Sequence, residues 1–271
     1  MKFDGWLFMT DMDGTILNEN SEISDENAEA IDYFVKNGGR FTIASGRDHG
    51  DLATFFGKIR LSAPAVCMNG SEIYDYNLKK AVFALELPSS VDEVLADIYR
   101  DIPHMSIEIY KGLDAFVCRK NKGTGQHLKM VDCVLNYIDD YRCVPKPWTK
   151  VAFWDDEEKI TELVKYVEKI PEEKMEALSF LQVNNWSCEI LNKNSDKGYG
   201  LLKLREIIGG DIKIAAIGDY ENDILMIKNA DIGFAPSNAC DKAKAAADFV
   251  LEQSCNESAV AAAIKKLDSM F

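Results

Sequence analysis

Trp6-Leu7-Phe8-Met9 is an unbroken apolar run, and it leads into Asp11-Met12-Asp13-Gly14-Thr15. The run predicts a short buried strand that the glycine ends. On a strand, residues i and i+2 point to the same side. Asp11 and Asp13 are therefore expected to aim two carboxylates into one small volume at the strand's C-terminal end. Open α/β sheets place their ligands at that edge. Two such acids repel unless a cation or a shared proton relieves them, and both reliefs point to phosphate chemistry with a divalent metal. Taken alone, D-x-D-G also suits an Asx turn after a strand.

Both ends of the chain support a sheet of that kind. Further strand candidates lie at 41–44, 65–68, 212–217, 232–235 and 248–251. Amphipathic stretches separate them. One helix is predicted from Ser24 as N-cap through Ile31, Phe34 and Val35, closed at Gly38; a second runs over 198–208, closed by Gly209-Gly210. The alternation predicts an α/β fold with a doubly wound (Rossmann-like) parallel sheet. Residues 82–190 read differently. Helical stretches at 90–100, 126–139 and 156–169 sit among alternating segments such as Met105–Tyr110 and Leu181–Val183, which predict an inserted α+β domain with antiparallel strands. Asp155-Asp156-Glu157-Glu158 is expected to be a solvated helix N-terminus.

Composition narrows the partners. A net charge of −14 argues against nucleic acid and anionic membranes. A local cation can still hold an anionic substrate in one pocket. No apolar run is long enough to span a membrane, and the first residues lack a signal-peptide layout. The seven cysteines are scattered and never spaced C-x-x-C, which fits a reduced cytoplasm.

Three more stations carry chemistry. Thr42-Ile43-Ala44 ends in Ser45-Gly46-Arg47, where a hydroxyl and backbone N–H groups could hold phosphate oxygens, or Ser45 could simply cap a helix. Lys197 opens the helix at 198 against the macrodipole; it is either a phosphate clamp or a solvated lysine. A third buried strand ends in Gly218-Asp219-Tyr220-Glu221-Asn222-Asp223. There Asp219 suits direct Mg²⁺ ligation and Asp223 a supporting place behind it. Nucleophile, acid, hydroxyl, lysine and metal ligand are the parts phosphoryl transfer requires. In this reading one carboxylate of ordinary pKa is ionised and ready to attack phosphorus, while its neighbour holds a proton. The histidines, including His49, His104 and His127, share no metal-like spacing and are expected on the surface or in loops. Trp148, Trp154 and Trp186 are expected to pack the inserted domain.

The strings DxDGT at 11–15, SGR at 45–47, NG at 69–70, KG at 197–198 and GDxENDxxM at 218–226, in this order, resemble the haloacid-dehalogenase-like (HAD) phosphatases, Cof-type group, type IIB with a C2B cap. The resemblance implies a discontinuous core at 1–81 and 191–271 and a cap at 82–190. It implies that Asp11 is the nucleophile, forming an aspartyl phosphate, and that Asp13 is the general acid/base. Ser45, Gly46, Lys197 and Asn222 would bind phosphate. Asp11, Asp13 (through its backbone carbonyl), Asp219 and Asp223 would surround Mg²⁺. Arg47 and Asn69 would face substrate or cap. Asp196 departs from the small residue usual in relatives, either weakening the local positive field or capping the helix. The basic stretch Arg119–Gly125 either helps choose the substrate or forms an exposed turn. The expected activity is a cytoplasmic, Mg²⁺-dependent phosphatase acting on a small phosphorylated metabolite, a sugar phosphate or phosphorylated cofactor. A phosphomutase or a non-catalytic phosphometabolite-binding protein are the alternatives.

Overall fold

A computed structural model describes residues 1–111, 114–124 and 135–271. These divide into two compact units, Met1–Phe83 with Asp196–Phe271, and Ala84–Ser195. In the first unit five strands lie side by side in the order Phe249–Val250, Ile232–Ala235, Lys213–Ile217, Trp6–Thr10 and Arg40–Ile43. All four pairings are parallel. The strands are short and apolar on both sides because both faces are covered. Leu7 and Met9 face one layer with Leu201, Leu204 and Met226. Trp6 and Phe8 face the other, with Ile31 and Phe34 from the helix Asp25–Lys36 and Val260, Ile264 and Leu267 from Ala259–Asp268.

On that second face, phenylalanine rings form a row across the sheet. Phe41 stacks on Phe8 and Phe8 on Phe234, each with centroids 6.4 Å apart. Phe8 and Phe234 are not on neighbouring strands. Ala215, opposite Phe8 in register, is small enough to let the two rings meet across it.

Local signals behave as their chemistry demands. The Ser24 side chain accepts from Asn27 N at 3.1 Å, and Gly38 takes a positive φ just past the helix end. The helix Lys197–Ile208 ends at Gly209, also at positive φ.

The second unit holds a six-stranded sheet in the order Leu178–Asn184, Ser187–Asn192, Lys150–Trp154, Ser106–Lys111, Asp114–Cys118 and Leu135–Ile138. The pairings are antiparallel except the last, which is parallel. The helices Val91–Asp101 and Glu157–Val167 pack on one face through Val94, Leu95, Ile98, Ile160 and Leu163. The two ends of this unit are tied together, since Asn192 Nδ2 donates to the Glu86 carbonyl at 2.8 Å.

The helix expected at 126–139 falls largely outside the described residues, but Leu135–Ile138 is a strand. Its Tyr and Ile favour a pleated surface, and sheet pairing decides the matter. The acidic run at 155–158 is only partly solvated. Asp155 is buried, accepting from Asn121 Nδ2 at 2.9 Å and from Asp156 N at 2.8 Å. Trp148 and Trp154 are buried, whereas Trp186 stands exposed in the turn between the edge strand Leu178–Asn184 and its neighbour Ser187–Asn192.

Candidate active site

The two central strands end level with each other: Thr10 pairs with Ile217, and Asp11 N donates to the Ile217 carbonyl at 2.9 Å. Chain order reverses direction between these strands, and a crevice opens at such a switch point. Asp11 leaves the first strand there; Gly218 and Asp219 leave the second. Asp11, Asp219 and Asp223 each offer a carboxylate oxygen within 4.8 Å of the others.

Lys197 enters the same volume. It is the first residue of its helix, and Gly198 lets that helix close in, because a Cβ there would lie 2.6 Å from the Leu225 backbone. Its side chain is buried, with Nζ donating to Asp11 Oδ1 at 2.5 Å and to Asp223 Oδ1 at 2.6 Å. The solvated alternative for this lysine is thus excluded. Asp196 is the N-cap, accepting from Tyr199 N at 2.7 Å. Asp223 holds a more direct place than expected: its Oδ1 meets Lys197 and its Oδ2 accepts from Asp219 N and Tyr220 N, both at 3.0 Å. Thr15 Oγ1 donates to Asp219 Oδ1 at 3.0 Å.

The electrostatics follow from crowding. Burial raises Asp11, with Lys197 opposing and Asp223 adding to the rise, and the net is about 8 rather than the ordinary value expected from sequence. Burial and the Asp223 charge also raise Asp219. Burial works against the Lys197 ammonium, but Asp11 and Asp223 outweigh it and hold the charge on. Three acidic side chains share a single ammonium. A hard, all-oxygen donor set of this kind suits Mg²⁺. Gly14 makes the approach feasible. Its φ is +80°, and a Cβ there would come within 2.5 Å of Asp219 Oδ2.

A second group of loops lies alongside. Ser45 is buried, its N donating to the Val66 carbonyl at 2.9 Å and its carbonyl accepting from Asn69 N at 3.0 Å. Asn69 takes a left-handed conformation that asparagine tolerates. Asn222 Nδ2 donates to Asn69 Oδ1 at 3.2 Å, and the Asn69 amide would lie 3.2 Å from a Cβ on Gly46. No helix starts at Ser45. The next one begins at His49 with Asp48 as its cap, and Ser45 Oγ accepts from Arg47 N at 3.2 Å.

Asp13 departs most from the sequence reading. The strand stops at Thr10, so its period-two geometry does not reach residue 13. Asp13 is not grouped with Asp11, Asp219 and Asp223, and its carboxylate is gripped by Arg47, with Nε at 2.9 Å from Oδ2 and Nη2 at 2.8 Å from Oδ1.

His49 is no loop histidine. Its Nδ1 lies 2.7 Å from Oε1 of the fully buried Glu72, and its ring stacks on Tyr74 at 4.2 Å. His104 does sit in a loop, and His127 lies outside the described residues. The basic stretch is locally engaged up to Gly125, which is not described. Arg119 stacks over Tyr99 at 3.5 Å, Lys120 lies over Tyr137 at 4.6 Å, and Lys122 stands 3.8 Å from Asp156. Sequence reasoning missed Thr15, Asp51 and Glu72. Thr15 was legible inside the DxDGT string; the other two carry no local signal.

A family model described as haloacid dehalogenase-like hydrolase matches residues 8–264. A 5-amino-6-(5-phospho-D-ribitylamino)uracil phosphatase of Bacillus subtilis is 28% identical, over 96% of this chain and 94% of that protein. A chloroplastic endoribonuclease YBEY of Arabidopsis thaliana is 29% identical over 89% of this chain, but the match spans only 43% of that protein. A crystal structure of a haloacid dehalogenase-like hydrolase from Bacteroides thetaiotaomicron has a TM-score of 0.79 at 26% identity, covering 98% of this chain and 99% of the other. The chain therefore belongs to the haloacid dehalogenase-like hydrolases, in their Cof-type phosphatase group.

Proposed function

We propose that this enzyme is a cytoplasmic phosphatase that hydrolyses a small phosphorylated metabolite, a sugar phosphate or phosphorylated cofactor, through an aspartyl phosphate on Asp11. The observation that carries the reading is the buried Lys197 bridge between Asp11 and Asp223, with Asp219 beside it. It sets a carboxylate and fixed positive charge together where a phosphoryl group could be received. In the first step an Asp11 oxygen bonds to phosphorus, the bond to the leaving oxygen breaks, and that oxygen takes a proton from Asp13. In the second, a water oxygen bonds to phosphorus, Asp13 takes the water proton, and the Asp11–phosphorus bond breaks to give inorganic phosphate. Lys197, Ser45, Gly46 and Asn222 hold the phosphoryl oxygens. A Mg²⁺ ion held by Asp11, the Asp13 carbonyl, Asp219 and Asp223 would supply the positive charge that the carboxylate cluster lacks. The unit Ala84–Ser195 is read as the cap that selects the leaving group, with Arg47 and Asn69 on the substrate side. The bacillary relative, named for a phosphorylated ribityl compound, supports a substrate of this size.

The test is phosphate release from a panel of phosphorylated metabolites, with Mg²⁺ and then with EDTA. Metal-dependent release that disappears in Asp11→Asn is expected. Isomerised product without free phosphate identifies a mutase instead. No turnover by the folded protein leaves only a binding role.

A further inference from the structure

Arg47 reaches far more than a loosely placed substrate-facing residue would. Its Nε and Nη2 take both oxygens of Asp13, its Nη1 donates to Asp51 Oδ2 at 2.7 Å, and its guanidinium lies 4.7 Å from the Phe55 ring centroid. Its own carbonyl accepts from Met68 N at 2.9 Å. Asp51 is fixed in turn. It stands in the short helix His49–Ala53, where its N–H and that of Gly50 are capped by Asp48 at 2.9 and 2.8 Å. The part-buried contact between His49 and Glu72 anchors the start of that helix.

We propose that Arg47, braced by Asp51, is the positioning residue that sets the orientation of the Asp13 carboxylate. The inference rests on the phosphatase reading above. Among the described residues, Arg47 is the only side chain that hydrogen-bonds the Asp13 carboxylate, and that carboxylate is 57% exposed. Without the fork it would rotate freely about two torsions. A bidentate guanidinium fixes both the plane and the direction of a carboxylate, which an ammonium cannot do. Asp51 and Phe55 fix the guanidinium in turn, so the fork is held before substrate arrives.

The chemistry offers a readout that simple destabilisation does not give. Asp13 is needed twice: it gives its proton to the leaving oxygen in the first step and takes one from water in the second. p-Nitrophenolate departs without a proton, whereas the alkoxide of glycerol phosphate needs one. Misplacing Asp13 therefore slows both steps for glycerol phosphate, but only the second for p-nitrophenyl phosphate.

The experiment is stopped-flow and steady-state kinetics of both compounds with the parent, Arg47→Ala, Arg47→Lys and Asp51→Ala, each checked for an unchanged melting profile. In Arg47→Ala we expect a burst of about one nitrophenolate per enzyme followed by slow turnover, no burst with glycerol phosphate, and kcat for glycerol phosphate lowered about 100-fold with KM within about threefold. Arg47→Lys should not rescue, and Asp51→Ala should show the same pattern at about a tenfold loss. A large rise in KM with kcat intact would mean that Arg47 binds substrate directly and would overturn the proposal. So would an equal loss on both compounds without a burst. If the parent releases no phosphate from either compound, the phosphatase reading itself falls, an outcome distinct from these two.

Discussion

Replacing Lys197 by methionine keeps most of the side-chain stem and removes the ammonium. The lysine is 1% exposed, with Nζ 2.5 Å from Asp11 and 2.6 Å from Asp223. The variant leaves Asp11, Asp219 and Asp223 together with no internal counter-charge. Two charge-assisted hydrogen bonds contribute about 3–6 kcal/mol in all. Removing one partner of a buried ion pair costs about 3–5 kcal/mol. Both routes centre on about 4 kcal/mol, which for a body the size of the sheet-bearing unit lowers the melting midpoint by about 8–16 °C. Differential scanning calorimetry in EDTA measures this without an added cation taking the place of the ammonium. Adding Asp223→Asn removes one of the stranded charges and should recover part of the loss. A Lys197→Met variant that melts within ~2 °C of the parent would refute the reasoning, because the ammonium would then not be neutralising buried acids.

Two further outcomes follow from local geometry. Gly14→Ala puts a Cβ 2.5 Å from Asp219 Oδ2 at a φ of +80°. It should cost about 1–3 kcal/mol in stability and weaken Mg²⁺ binding at least tenfold by calorimetric titration; parent-like binding removes the role given to this glycine. Burial, helped by the Glu189 charge, pushes the Cys188 thiol up to about 12, so it forms thiolate only as pH approaches that value and stays protonated at neutral pH. A thiol reagent at neutral pH should label the exposed Cys143 rapidly and Cys188 only after denaturation; fast native labelling of Cys188 contradicts this.

What could be foreseen divides along physical lines. The parallel strands were legible because short apolar runs such as Ile214–Ile217 end abruptly at glycine or acid, and burial on both faces leaves no polar alternation. Lys197 was not decidable. Whether a lysine at a helix start is solvated or clamped depends on acids 186 and 26 residues away in sequence. The direction of the Asp13 side chain was not decidable from strand alternation, because the strand ends three residues before it. His49 was misread because Glu72 and Tyr74, which hold it, lie on a strand more than twenty residues further along the chain. Asp51 had no sequence signal, since its value comes from one guanidinium four residues earlier.

The hydrogen bond from Asn192 to the Glu86 carbonyl bears on the order of folding. The carboxylate cluster and its lysine join residues 186 positions apart, a loop whose closure an unfolded chain resists entropically. Once Ala84–Ser195 folds on its own contacts, its two ends are pinned together, and most of that separation is already spanned. The inserted unit then acts as a staple that shortens the loop between Asp11 and Lys197 from 186 residues to roughly 80, and the sheet joining Trp6–Thr10 to Lys213–Ile217 closes at an entropic cost lower by less than about 1 kcal/mol.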